Sequence, residues 1–73
     1  MPLNLLLNGH ERIFDDLDSG ASLQDLVASL GLKGDRIAVE RNGEIAPRTG
    51  WAEVILVPGD RIELVHFVGG GIA

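Results

Sequence analysis

The residues of this 73-residue chain best suited to chemistry lie near its C-terminal end, where Gly69, Gly70 and Gly71 follow an apolar stretch. Glycine has no Cβ atom, so a run of glycines extends freely and can enter a channel too narrow for any side chain. We therefore predict that this segment is inserted into another protein. Two further residues, Ile72 and Ala73, follow the glycines and complicate this interpretation.

The glycine run also has simpler explanations, which remain open. It could be an unstructured terminus or a cloning linker. A phosphate-binding loop is less favoured, because no helix follows the glycines to present its N-terminus to an anion. The strand-like stretch rich in Val and Phe that leads into the glycines favours the functional interpretation.

The composition predicts one small domain that folds on its own. Apolar residues make up 45% of the chain, and there is no cysteine for a disulfide or a metal site. The net charge of −5 argues against nucleic acid as a partner, because phosphate contacts need clustered Lys and Arg. The acidic surface favours a partner with a positive patch, or it simply aids solubility.

We expect a cytoplasmic protein that does not bind membranes. No apolar stretch approaches the roughly 20 residues needed to span a bilayer. The N-terminal residues Met1-Pro2-Leu3-Asn4 also lack the basic start of a signal peptide.

No nucleophile, acid–base pair or metal cluster is visible, so we do not expect an enzyme. His10 and His66 have no partner at a metal-ligand spacing and are interpreted as ordinary strand residues. Arg41 is expected to pair with Glu40 or Glu44 on the surface, or with a carboxylate of a partner protein.

Turn signals divide most of the chain into short strands. Asn8-Gly9 and Asn42-Gly43 are typical of two-residue hairpin turns, and Pro58-Gly59-Asp60 is a turn before the last strand. The strands expected between them cover residues 3–7, 10–14, 36–41, 44–45 and 61–68. The last of these should be the longest, and residues 15–21 are predicted to be a loop.

One amphipathic helix is predicted after that loop. Ser22 is a suitable N-cap, and Asp25 three residues later approximates a capping box. Gly31 suits the left-handed C-terminal cap. The apolar residues that share one helix face are Leu23, Leu26, Val27 and Leu30.

This order of elements predicts an α+β protein with the β-grasp fold. A mixed sheet of four to five strands would be covered by the single helix, with the first and last strands parallel at its centre. We assign residues 1–68 to the β-grasp domain and residues 69–73 to a flexible C-terminal tail. The chain around Trp51 is expected to be irregular, with Trp51 itself packing over the sheet edge.

The last strand alternates between two faces. Ile62, Leu64 and His66 share one face, and Val65 and Phe67 lie on the other. If the first face packs against the helix, Val65 and Phe67 are exposed beside the tail, where they would form a docking patch for a partner. In so small a domain both faces could instead be covered.

The sequence resembles the ThiS family, the ubiquitin-like sulfur-carrier proteins of thiamine biosynthesis, over essentially its whole length. The more specific matching segments are Val39-Glu40-Arg41-Asn42-Gly43, Ile45-Ala46-Pro47-Arg48 with Trp51, Pro58-Gly59-Asp60 with Ile62-Glu63-Leu64-Val65, and Val65-His66-Phe67-Val68-Gly69-Gly70-Gly71. Each segment alone is a weak signal, but together and in this order they make a strong match.

The resemblance implies a protein that carries sulfur as a thiocarboxylate on its C-terminal glycine. In that family an E1-like adenylyltransferase, ThiF, uses ATP and magnesium to form an acyl-adenylate, and sulfur supplied from cysteine by a desulfurase displaces AMP. Thiazole synthase, ThiG, then takes the sulfur. By this resemblance, Gly71 would carry the sulfur, Gly69 and Gly70 would form the insertable arm, and no cofactor would be bound permanently.

The residues after Gly71 depart from the family pattern. Ile72 is β-branched and should fit poorly in a glycine-lined channel. The two terminal residues could be trimmed, tolerated by the partner enzyme, or added by cloning. Two other functions also stay open, namely the small subunit of molybdopterin synthase or a related thiocarboxylate carrier, and a β-grasp interaction module that carries nothing.

Overall fold

The computed structural model describes residues 2–67, which form a five-stranded sheet and one α-helix. The strands are β1 (Pro2–Leu7), β2 (His10–Asp18), β3 (Ile37–Arg41), β4 (Glu44–Ile45) and β5 (Arg61–His66). The helix α1 spans Leu23–Ser29, and two short 3₁₀ helices span Gly34–Arg36 and Arg48–Glu53. Within residues 2–67 no helix has the length and hydropathy of a membrane-spanning segment.

The sheet has the strand order β2-β1-β5-β3-β4, which confirms the predicted β-grasp arrangement. β1 and β5 pair in parallel at its centre, with Leu6 opposite Arg61, and every other pair is antiparallel. The last strand, β5, pairs with β1 on one side and with β3 on the other, so it lies in the interior of the sheet. The chain therefore leaves the described region from a central strand.

Both predicted Asn-Gly turns are present and have nearly the same backbone. Asn8 and Gly9 have φ angles of 49° and 82°, and Asn42 and Gly43 have 53° and 88°. Positive φ at both central residues is the mark of the type I′ turn, which matches the twist of the strands it joins. Asparagine and glycine tolerate this conformation better than other residues, so here the local sequence determines the turn.

Strand β2 corrects the prediction of a loop over residues 15–21. It continues to Asp18, and at nine residues it is the longest strand, whereas β5 has six. Leu3 pairs with Phe14 but Pro2 pairs with Asp18, so the register shifts within β2. This irregularity allows both Phe14 and Leu17 to be buried although they are three residues apart.

The predicted helix caps are confirmed. Ser22 Oγ accepts a hydrogen bond from the Asp25 amide at 3.1 Å, and the Asp25 carboxylate accepts one from the Ser22 amide at 2.9 Å. At the other end Gly31 has a φ of 72°, and the Gly31 and Leu32 amides donate to the carbonyls of Ala28 and Val27. This is the Schellman motif, so the short helix ends with its backbone groups paired.

The core lies between α1 and the inner face of the sheet. Trp51 is part of it, with 1% of its surface exposed, and its Nε1 donates to the Ala46 carbonyl at 2.7 Å. The expected packing role of Trp51 is confirmed, because its ring is buried, but the segment around it is a 3₁₀ helix and not the irregular chain that was expected. The other buried apolar residues are Leu3, Leu5, Leu7, Phe14, Leu17, Leu23, Leu26, Val27, Ile37, Val39, Leu56 and Ile62.

Candidate functional site

The candidate site begins at the C-terminal end of β5. Beyond the end of β1, the Leu64 amide donates to the side-chain oxygen of Asn8 at 2.8 Å. On the opposite side, His66 pairs with Ile37, and the Phe67 amide donates to the Arg36 carbonyl at 2.8 Å. The strand is thus held on both sides close to the point where the tail begins.

The predicted tail residues Gly69, Gly70 and Gly71 lie outside the described residues. The last described residue, Phe67, precedes Gly69 by only one position. Their role as an insertable arm therefore stays a prediction.

The two faces of β5 differ as predicted. Ile62 is fully buried and Leu64 is partly buried, whereas 58% of Val65 and 46% of Phe67 are exposed. His66 is also exposed, although it alternates with the inner-facing residues. The exposure of Val65 and Phe67 is thus observed, and their role in docking stays a prediction.

More apolar residues share the face that carries Val65, and the sequence analysis did not identify them. Ala38 lies directly opposite Val65, and Ile45, which is 69% exposed, lies opposite Glu40. Because cross-strand partners point to the same face of a sheet, Ile45 joins Val65 and Phe67 there. We call Ile45, Val65 and Phe67 the outer apolar patch. No signal within the two-residue strand β4 could have identified Ile45, because alternation would turn this apolar residue and not Glu44 towards the core.

At the opposite end of β5, a buried carboxylate accepts several hydrogen bonds. Asp60 is 4% exposed, and its Oδ2 accepts hydrogen bonds from Arg41 Nε at 3.0 Å and from the Val57 amide at 2.9 Å. Its Oδ1 accepts one from the side-chain amide of Asn42 at 3.1 Å. The sequence analysis paired Arg41 with Glu40 or Glu44, and the structure corrects this, since the turn before β5 brings Asp60 to Arg41.

The surroundings of Asp60 keep it ionised. Burial alone would raise the pKa of this carboxyl, but the hydrogen bonds from Val57, Asn42 and Arg41 together, with the Arg41 charge, hold the pKa below its ordinary value. Asp60 is therefore a charged group that ties the turn before β5 to the β3–β4 hairpin. Every polar atom around it serves the fold, so we do not assign it a role in chemistry.

Residues 2–67 contain no group of three or more His, Cys, Asp and Glu residues that could hold a metal ion. A shallow cavity beside α1 is lined by Asp16, Asp25 and Ser29 among others. Asp16 accepts a hydrogen bond from the Ser29 hydroxyl, and Asp25 caps the helix, so both carboxylates already have structural partners.

Solved structures support the fold assignment. The crystal structure of the thiamine biosynthesis protein ThiS from Geobacter metallireducens superimposes with a TM-score of 0.80, covering 94% of this chain and 100% of that chain at 28% sequence identity. The solution structure of a thiamine biosynthesis protein from the same organism also gives a TM-score of 0.80, and covers 97% of this chain and 91% of that chain.

Sequence comparisons point in the same direction. The sulfur carrier protein ThiS of Bacillus subtilis is 50% identical over 54 residues, which cover 74% of this chain and 80% of that protein. A thiazole synthase of Paramagnetospirillum magneticum is 39% identical over 69 residues, but this chain spans only about a fifth of its length. The ThiS family itself matches residues 5–71, from the first strand through Gly71. This chain belongs to the ThiS family.

Proposed function

We propose that this chain is a sulfur carrier of thiamine biosynthesis, and that it is a substrate of other enzymes with no catalysis of its own. The observation that carries the proposal is the family match, which continues through the glycine run and ends at Gly71. The fold is in keeping with this role, because β5 leads from the centre of the sheet towards those glycines.

The chemistry requires activation before sulfur can be attached. A carboxylate does not react with a sulfur nucleophile, since an oxide would have to leave. Once the Gly71–Ile72 peptide bond has been hydrolysed, a carboxylate oxygen of Gly71 attacks the α-phosphorus of ATP, pyrophosphate leaves and an acyl-adenylate forms. When sulfide attacks the acyl carbon, AMP leaves and a thiocarboxylate remains. When a persulfide attacks instead, AMP leaves and an acyl disulfide forms, and a thiol must cleave its S–S bond to release the thiocarboxylate. ATP and magnesium belong to the adenylyltransferase in this scheme, so the carrier itself needs no bound cofactor.

The partners follow from these steps. An E1-like adenylyltransferase of the ThiF type would bind the tail, a cysteine desulfurase or another sulfur donor would supply the sulfur, and a thiazole synthase of the ThiG type would receive it. The thiazole synthase assignment has support of its own, because thiazole synthases of two bacteria each contain a segment similar to 94% of this chain. The outer apolar patch is the proposed docking surface for these enzymes.

The test is adenylation of the intact chain and of a variant that ends at Gly71. Each would be incubated with a ThiF-type enzyme, ATP and magnesium, and examined by intact-mass spectrometry. We expect the variant ending at Gly71 to gain AMP and then, with a sulfur donor, to exchange one oxygen for sulfur. A variant lacking residues 70–73 is the matched control and should gain neither group.

The same experiment separates the alternatives. Adenylation only by the E1-like enzyme of molybdopterin synthesis would assign the chain to that pathway. Absence of adenylation by either enzyme, together with partner binding that survives removal of residues 70–73, would identify an interaction module and refute the carrier role. The mass of the protein isolated from its own cells would show whether Ile72 and Ala73 are retained.

A further inference from the structure

The two Asn-Gly turns share a backbone conformation but differ in how the asparagine side chain is held. The Asn42 side chain is engaged at both ends, since Nδ2 donates to Asp60 at 3.1 Å and Oδ1 accepts from the Arg61 amide at 2.8 Å. Asn8 uses only Oδ1, which accepts from the Leu64 amide at 2.8 Å. Within residues 2–67 no hydrogen bond engages Asn8 Nδ2.

This difference bears on the intrinsic chemistry of Asn-Gly sequences. The backbone nitrogen of the glycine can attack Cγ of the preceding asparagine, so that a five-membered succinimide forms and ammonia leaves. Water then opens either carbonyl of the ring and leaves an aspartyl or an isoaspartyl residue. Glycine favours the attack because it has no Cβ to shield its nitrogen. The side-chain amide must also be free to rotate towards that nitrogen.

We propose that Asn8 is a site of spontaneous deamidation and that Asn42, in an otherwise equivalent turn, is protected by Asp60 and Arg61. The φ angles are 49° and 53° at the two asparagines and 82° and 88° at the two glycines. The backbone conformation therefore does not distinguish the two turns. Both asparagines are exposed, so access of water does not distinguish them either. What distinguishes them is the additional hydrogen bond from Asn42 to a buried carboxylate.

Modification of Asn8 would affect a hydrogen bond to the last strand, β5. Its side-chain oxygen accepts a hydrogen bond from the Leu64 amide, three residues before Phe67 and five before Gly69. An aspartyl product keeps an acceptor oxygen there. An isoaspartyl product lengthens the backbone by one methylene group and moves the acceptor away, so the Leu64 amide loses its partner. Deamidation to isoaspartate would therefore loosen β5 close to the tail. This inference does not depend on the sulfur-carrier role.

The test compares deamidation at the two sites in one sample of the full chain. The protein would be kept at mildly alkaline pH and 37 °C, and peptides containing Asn8 or Asn42 would be followed by mass spectrometry with enzymatic isoaspartate labelling. We expect Asn8 to react about tenfold faster, the factor that corresponds to one additional charge-assisted hydrogen bond at Asn42. In guanidinium chloride the two rates should become equal, because the tertiary contacts are lost.

Two variants sharpen the result. Asp60→Asn should accelerate deamidation at Asn42 and leave the rate at Asn8 unchanged, provided that circular dichroism shows a folded protein. Gly9→Ala should slow the reaction at Asn8 alone. For the isolated isoaspartyl product, hydrogen exchange at the Leu64 amide should be faster than in the unmodified chain. Equal rates at the two asparagines in the folded wild-type protein, faster reaction at Asn42, or no reaction at either would overturn the proposal.

Discussion

The two ends of the central strand β5 are held in contrasting ways. At its start, buried Asp60 is engaged by Arg41, Asn42 and the Val57 amide, so the polar groups there are satisfied within the domain. At its other end, Val65 and Phe67 project from the sheet with about half of their surface exposed. The same strand therefore begins in a closed polar network and ends on an open apolar surface.

This contrast indicates that different parts of β5 serve fold stability and partner recognition. Burial of apolar groups and paired polar groups stabilise the fold. Exposed apolar side chains contribute little to stability, so their presence beside the tail needs another reason, and docking of a partner enzyme supplies one. If this interpretation is correct, substitutions near the start or on the inner face of β5 should change stability, and those on the outer apolar patch should change partner binding.

The largest expected effect on stability comes from the inner face. Ile62→Ala should lower the free energy of unfolding by about 2–5 kcal/mol, because it removes fully buried methyl groups and leaves a cavity in the core. Val65→Ala is the matched control on the same strand and should change it by less than about 0.5 kcal/mol. Urea denaturation measures both. Equal losses in the two variants would abolish the distinction between the faces.

The next effect concerns the polar network. Asp60→Ala should lower the free energy of unfolding by about 1–3 kcal/mol, because the Val57 amide, Asn42 and Arg41 lose their common acceptor. Arg41 is partly exposed, and water can take the place of the carboxylate there, which keeps the loss moderate. Asp35→Asn, which alters an exposed carboxylate, is the control and should have little effect. An unchanged stability in Asp60→Ala would show that the network contributes nothing.

Acidic pH should weaken the interactions of Asp60 without any mutation, because it protonates the carboxylate. Because the pKa of Asp60 is lower in the folded than in the unfolded protein, its contribution is complete above the unfolded value near 3.8. That contribution is lost as the pH falls through the folded pKa. Unfolding free energies measured from pH 6 downwards should therefore decrease more steeply in the wild-type chain than in Asp60→Asn. Parallel curves would argue against a lowered pKa at this carboxyl.

The smallest effect on stability is expected at the outer apolar patch, where the effect on function should be large. Val65→Asp should leave the free energy of unfolding within about 0.5 kcal/mol of the wild type. It should lower kcat/KM for adenylation by at least about tenfold, because a charge would be buried on docking. Ile13→Asp, at an exposed position on edge strand β2, is the control and should be adenylated normally. Equal rates for all three proteins would exclude Val65 from the docking surface.

Much of the fold could be predicted because its signals are local. The Asn-Gly turns need residues that tolerate positive φ, and the helix caps need a short polar side chain at Ser22 and a glycine at Gly31. Alternation along β5 was enough to place Ile62 and Val65 on opposite faces, although it left open whether the face of Val65 is covered. Each of these features depends on residues within a few positions of one another, so the sequence alone was sufficient.

Other features depend on residues distant in the sequence. The extension of β2 to Asp18 depends on pairing with Pro2 across a register shift, and an aspartate-rich segment gives no sign of it. The burial of Trp51 depends on the helix and sheet closing around its ring. The pairing of Arg41 with Asp60 joins residues 19 positions apart.

The candidate site divides in the same way. The glycine run after an apolar strand could be predicted from the residues alone, because the absence of side chains is a property of the residues. The central place of this strand and the shared face of Ile45 and Val65 became known from the folded structure. Strand order and register arise from long-range pairing and core packing, and the hydrophobic pattern of one strand does not specify its neighbours.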